Sequence, residues 1–153
     1  MAPARILIVH HSPTASLEQI VAAATAGIEH PALGGAVAAV PRPALSATAE
    51  DVEDADGVVL VTPVNLGYMG GALKHFFDST FRDLESAGTR RPYVAVVKGT
   101  TDAGGAVRAI ESITTGLRWP AARPPVVVEG DVDDAFLARV TETCAELAAS
   151  LAP

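Results

Sequence analysis

The chain has 153 residues, a hydrophobic fraction of 49% and a formal net charge of −7. That length fits one domain able to bury roughly 70% of its unfolded-chain surface, and the hydrophobic fraction excludes wholesale disorder. The acidic balance argues against a general binder of nucleic acid or anionic membrane, and a single cysteine, Cys144, excludes an intrachain disulfide or a multi-cysteine metal site.

Arg5 to His10 reads as a buried strand, because Ile6-Leu7-Ile8-Val9 is continuously apolar, as expected when helices cover both sheet faces. The same run is too short for a bilayer span or the core of a signal peptide, so a cytoplasmic location is expected. Leu17, Ile20, Val21, Ala24 and Ile28 then recur at helical spacing until His30-Pro31 ends the helix. Gly34-Gly35 introduces a weaker strand, Ala36 to Val40, which Pro41 and Pro43 should end. Glu50 to Ala55 reads as a short acidic helical turn, and Asp56-Gly57 leads into the strong strand Val58 to Val61.

That strand is expected to end at Thr62, with a loop containing Pro63 and Gly67 and a helix starting near Gly70. Leu73, Phe76, Phe77, Phe81 and Leu84 mark the core face of this helix. After a break at Gly88 to Pro92, Tyr93 to Val97 is a fourth strand, and Lys98 to Gly105 is a glycine-containing loop. Val107, Ile110, Thr114 and Leu117 give a helix ending near Trp119-Pro120, and Val126 to Val128 is the fifth strand. Phe136, Leu137, Val140, Cys144, Leu147 and Leu151 line the closing helix, which makes Cys144 a buried structural thiol.

Strict alternation of strands and helices implies a parallel sheet covered on both faces, a three-layer α/β/α sandwich over residues 1–153 as a single domain. Such sandwiches commonly take the strand order 2-1-3-4-5, with the ligand at the switch point beside strands one and three. Three loops then meet at the carboxyl edge: His11 to Ser16, Pro63 to Gly70, and Gly99 to Gly105. In the first, Ser12, Thr14 and Ser16 precede a helix. Their hydroxyls either cap that helix or, with its free N–H groups, hold a dianionic phosphate.

Competing ligands fail on their motifs. GxGxxG is absent after the first strand, GxxxxGK[ST] is absent throughout, and so is GxSxG. A phosphoacceptor site is missing its acidic residues, because His10-His11 and Thr62 stand where carboxylates are needed. A mononucleotide with a terminal phosphate survives.

Thr62-Pro63-x-x-x-Gly67-x-Met69-x-Gly71-x-Leu73-Lys74-x-Phe76-x-Asp78 resembles the second FMN loop and following helix of the flavodoxin-like family, specifically its small NAD(P)H-dependent FMN reductase and quinone reductase members. Ser12-Pro13-Thr14 and Gly104-Gly105 match the first and third loops more loosely. The resemblance implies a flavodoxin-like fold and an FMN-binding oxidoreductase that carries electrons from NAD(P)H to a quinone, flavin or other small acceptor. It implies FMN contacts at Ser12, Pro13, Thr14, Ala15 and Ser16 in the first loop. The second loop would contribute Pro63, Val64, Asn65, Leu66, Gly67, Tyr68 and Met69, with the backbone of Val64 to Gly67 edging the ring and Tyr68 and Met69 packing on it or on a partner's. Thr100, Thr101, Gly104 and Gly105 would meet its polar edge. Neither a catalytic side chain nor a metal is required, since the flavin carries the redox chemistry.

Two readings stand beside that one: a flavodoxin-type electron carrier serving a redox partner protein, and a flavodoxin-fold scaffold that has lost FMN. The second is motivated by Ala15, Ser16 and Leu17, which replace the family's Gly, Asn and final hydroxyl. A homo-oligomer is compatible with all three. Asp102-Ala103 stands where some quinone-reducing relatives carry a histidine. His10 and His11 are adjacent and face opposite ways on a strand, so they do not jointly chelate a metal. Lys74 and Asp78 are spaced for a surface ion pair, His75 lies off the phenylalanine face, and Trp119 reads as core.

Overall fold

A computed structural model of the chain describes residues 2–153. Five parallel strands, β1 (Ala4–His10), β2 (Val37–Pro43), β3 (Gly57–Asn65), β5 (Tyr93–Gly99) and β6 (Val126–Glu129), lie in the order β2-β1-β3-β5-β6. A sixth strand, the two-residue β4 (Tyr68–Met69), pairs antiparallel with the end of β3. The parallel strands keep the expected 2-1-3-4-5 arrangement, and β4 is the addition to a sheet expected to have five strands. Helices α1 (Ala15–Ile28) and α5 (Asp134–Leu151) cover one face, and α2 (Ala49–Glu53), α3 (Gly71–Ala87) and α4 (Gly104–Leu117) cover the other.

Strand alternation divides the core into two layers. Leu7, Val9, Val58, Leu60 and Val97 point toward Leu73, Phe76, Phe77 and Ile110. Ile6, Ile8, Val59, Val61 and Val96 point toward Leu17, Ile20, Ala24, Val140 and Cys144. The central strands therefore lose their water on both sides, which is why they read as unbroken apolar runs. Phe81 is only half-buried and packs across Gly116, 3.2 Å from where a Cβ would stand. No helix among the described residues is long and apolar enough to cross a membrane.

Element ends differ from the sequence reading where proline and pairing compete. β2 runs on through Pro41 and Pro43, because it is an edge strand and a missing N–H on its outer side breaks no ladder bond. β3 continues past Thr62 and Pro63 to Asn65, since β4 folds back and pairs with its end. A 3₁₀ turn at Pro31–Leu33, closed by the left-handed Gly34, lies between α1 and β2. Arg91 steadies the short α2, donating to the carbonyls of Val52, Glu53 and Ala55 at its C-terminal end. A cation placed there satisfies orphan carbonyls and complements the helix dipole.

Helices α1 and α5 pack backbone to backbone at Gly27, and Thr141 Oγ1 donates across the contact to the Ala23 carbonyl at 2.9 Å. A Cβ on Gly27 would overlap the Thr141 carbonyl oxygen, which is helix backbone and cannot step aside. Gly27→Ala is expected to cost about 1–3 kcal/mol by overpacking, read as a lower urea midpoint. An unchanged midpoint would show that the two helices separate freely.

Candidate functional site

The chain reverses direction across the sheet between β1 and β3, placing the switch point at their carboxyl ends. The segment after β3 is a tight hairpin rather than an open loop. Asn65 pairs with Tyr68 and Val64 with Met69, so Leu66 and Gly67 are its two turn residues. Both take positive φ, 51° and 74°, as a primed two-residue turn requires. Gly67 does so freely, whereas Leu66 carries a β-carbon into the left-handed region with its side chain fully exposed.

The hairpin is fastened at both ends. At its base the buried Thr62 hydroxyl accepts from the Gly70 N–H at 2.9 Å and donates to the Pro63 carbonyl at 2.8 Å. At its tip the Gly67 carbonyl rests on Gly105, where a Cβ would collide with it. Gly105 is thereby taken up in joining the second loop to the third. Met69 also departs from the expected ring contact: strand alternation turns its side chain inward, where it is 2% exposed among the core residues of α3 and β5. Tyr68, on the opposite side of β4, is 40% exposed and stays available.

Val64, Leu66, Gly67, Thr100, Thr101 and Gly105 line a cleft of about 370 Å³ between hairpin and third loop, together with Asp102 and Arg108. This is within the size range of small-molecule sites. Asp102 Oδ1 accepts from the Gly104 N–H at 2.8 Å, which orders the turn into α4. The Arg108 guanidinium folds back over Gly104, with Nη1 2.9 Å from where a Cβ would lie, and forms no salt bridge among the described residues. Gly104 thus makes room for Arg108. Nothing in the sequence singled out Arg108; only its position one helical turn beyond Gly104 carried any signal.

The first loop stands apart from this cleft. Thr14 caps α1, its hydroxyl accepting from the Leu17 N–H at 3.3 Å. Ser12 Oγ lies 2.9 Å from His10 Nδ1. Pro13, Thr14 and Ala15 are exposed and Ser16 is half-buried. The cap satisfies one of the orphan amides at the helix start, and those of Ala15 and Ser16 remain turned outward. No lysine or arginine belongs to the loop, so an anion there would be met by amides, hydroxyls and the two histidines.

Remaining candidates are structural. Lys74 Nζ pairs with Asp78 at 2.6 Å on the exposed side of α3, and His75 is exposed. Trp119 is buried, its indole N–H donating to the Thr89 carbonyl at 3.0 Å. Burial pushes the Cys144 thiol up to about 12, which leaves it inert as a nucleophile at neutral pH. Among the described residues no cluster of His, Cys, Asp and Glu is arranged to hold a metal ion.

The family model described as NADPH-dependent FMN reductase matches residues 30–130. No curated protein sequence matches. Among solved structures, an archaeal flavodoxin superposes with a TM-score of 0.81 at 14% identity, covering 96% of this chain and 98% of that one. A flavodoxin from Streptococcus pneumoniae gives 0.74 at 20% identity, with 97% and 99% covered. An oxidoreductase from Corynebacterium diphtheriae gives 0.74 at 18% identity, with 99% and 98% covered. These likenesses establish the flavodoxin fold.

Substitutions at two positions probe the hairpin. Thr62→Val leaves the buried Gly70 N–H without a partner and is expected to destabilise the fold by about 1–3 kcal/mol, with Thr62→Ser recovering most of the loss in the same denaturation series. Leu66→Asn relieves the left-handed strain and should add about 0.5–1 kcal/mol. A loss of stability instead would mean that Leu66 packs on something that matters to the fold.

Proposed function

The chain belongs to the NADPH-dependent FMN reductase family, and from that premise we propose that it is a single-domain oxidoreductase carrying electrons from NAD(P)H by way of FMN to a quinone, a flavin or another small acceptor. The observation that carries the reading is that an open helix start and a hairpin-walled polar cleft both lie at the carboxyl edge of the sheet. Both fit the ligand: exposed amides and hydroxyls suit a phosphate, and the cleft offers a rigid edge with polar groups for a planar ring. Bound there, FMN supplies the redox chemistry.

The chain's own residues bind and orient. Ser12, Pro13, Thr14, Ala15 and Ser16 hold the phosphate through hydroxyls and the amides at the start of α1. Pro63, Val64, Asn65, Leu66 and Gly67 present backbone to the ring from a hairpin that Thr62 keeps from opening. Leu66, which projects exposed from the turn, would shield a ring held against the hairpin from water, and the exposed Tyr68 would be free to contact the ring or a substrate. Thr100, Thr101 and Gly105, which line the cleft, would meet the ring's polar edge, with Gly104 beneath the Arg108 guanidinium beside them. Asp102 and Arg108, of opposite charge on one cleft wall, set the local potential, with Arg108 offsetting the penalty that Asp102 alone would impose on negative charge nearby. Met69 contributes from beneath, by anchoring β4 in the core. A cytoplasmic setting with ready NAD(P)H completes the reading.

A second reading, a flavodoxin-type carrier that serves a redox partner protein, draws on the acidic charge of −7 and on the flavodoxin likeness over nearly the whole chain. One experiment separates the two. Purified protein titrated with FMN should bind it, and anaerobic NADPH or NADH should then bleach the flavin absorbance within a turnover. Binding without bleaching would favour the carrier, and a protein that binds no FMN would overturn both.

A further inference from the structure

A second cavity, of about 220 Å³, opens where the first loop meets the end of β2, lined by His10, His11, Ser12 and Pro13 on one side and Pro43 to Leu45 on the other. His10 ends β1 half-buried, with Nδ1 2.9 Å from Ser12 Oγ. Which partner donates across that bond decides what Ser12 offers outward. If the imidazole Nδ1 carries the proton, Ser12 accepts it and its own O–H is free to point at an anion. If Nδ1 is bare, the serine proton is spent on the ring and Ser12 turns lone pairs outward.

We propose that His10 is a positioning residue for the phosphate of the ligand: donating from Nδ1, it aims the Ser12 hydroxyl at the phosphate, and binding draws one proton from solvent onto the imidazole. The inference rests on the FMN reading above and names the source of positive charge that the first loop otherwise lacks.

The surroundings agree. In the free protein, burial and, secondarily, the neighbouring His11 hold the His10 pKa below its ordinary value, so the ring is mostly neutral near pH 7. From β2, Arg42 lies beside Val9 and is engaged by Asp51 of α2 at 3.8 Å. From β3, His10 is paired with Val61, and neither Val61 nor Thr62 carries charge. From α1, Glu18 is the acidic residue of the first turn. No carboxylate lines the cavity, and a bound dianion would be the first strong negative charge against the ring. Its arrival raises the His10 pKa, so a proton is taken up at any pH between the free and bound values. By linkage, affinity rises as pH falls through that window.

The test is titration of the full-length protein with FMN and with riboflavin, which lacks the phosphate, at pH 6.5 and 8.5, where the phosphate is largely dianionic. FMN should bind on the order of fivefold tighter at the lower pH, as a pKa displacement of roughly one to one and a half units gives, while riboflavin changes less than twofold. His10→Asn, whose amide can replace the Nδ1 donor without titrating, should keep FMN affinity near the wild-type value at pH 8.5 and lose the pH dependence. His10→Leu should weaken FMN about tenfold at pH 8.5 and about fiftyfold at pH 6.5, because it loses the donor at both and the proton uptake at the lower, and should leave riboflavin unmoved. FMN binding that ignores pH, or that keeps its pH dependence in His10→Asn, would overturn this inference and leave the FMN reading intact. Failure of the wild type to bind FMN at either pH would remove both.

Discussion

The candidate site depends on one hydrogen bond, from the Gly70 N–H to the buried Thr62 hydroxyl. Strand β3 has to be released from the sheet, turned, and handed to α3 within a few residues, and each step leaves backbone groups that must find partners. Thr62 supplies both at once, accepting from Gly70 and donating to the Pro63 carbonyl. A hydroxyl is the smallest group able to do so, and the space is small: a Cβ on Gly70 would stand 3.1 Å from that oxygen and 3.4 Å from the proline ring. The Thr62-Pro63 and Gly70-Gly71 pairs in the sequence are therefore two halves of one device. With the base pinned, Leu66 can be strained and the turn still hold one geometry.

Much of the fold was legible because the signals are redundant. Ile6 to Val9, Val58 to Val61 and Tyr93 to Val97 are apolar without alternation, which only double-sided burial explains. Helix faces such as Leu73, Phe76, Phe77 and Leu84 follow their period closely. The misplacements occur where a local preference yields to pairing or position. Pro41 and Pro43 stop a central strand but not an edge strand, and the expected 2-1-3-4-5 order puts strand two at the edge, so the stop followed local preference where topology overrides it. A leucine is a poor residue for a left-handed turn position, so Leu66-Gly67 hides a hairpin that Asn-Gly would have announced.

At the candidate site, legibility followed the backbone more than the side chains. The strand–turn–helix order around Gly67 located the hairpin, but its alternation sent Met69 into the core and left Tyr68 outside. Gly104 and Gly105 read alike in sequence and serve different neighbours, one making room for the Arg108 guanidinium and the other for the Gly67 carbonyl. The use of Gly105 is not visible before the second and third loops are in contact, because it joins residues nearly forty positions apart. Arg108 was missed for a local reason: an arginine on an amphipathic helix reads as solvated until the preceding turn folds under it.

The overall charge then bears on how the two halves of the site divide their work. At −7 the protein offers an anionic ligand no long-range attraction, and beyond a screening length of about 8 Å at physiological ionic strength its field is in any case weak. Recognition of an anion must therefore come from donors at hydrogen-bonding range, where α1 presents its open amides and Ser12 and Thr14 their hydroxyls. Such donors discriminate by geometry, and their worth depends on being aimed beforehand. The cleft is aimed by a pinned hairpin and by glycine contacts that leave little freedom. The first loop is set by the Thr14 helix cap, the His10–Ser12 bond and the His11 N–H donating to the Val61 carbonyl. It follows that the hairpin-walled cleft is fixed by the fold, and that the first loop is the part whose geometry a single proton can change.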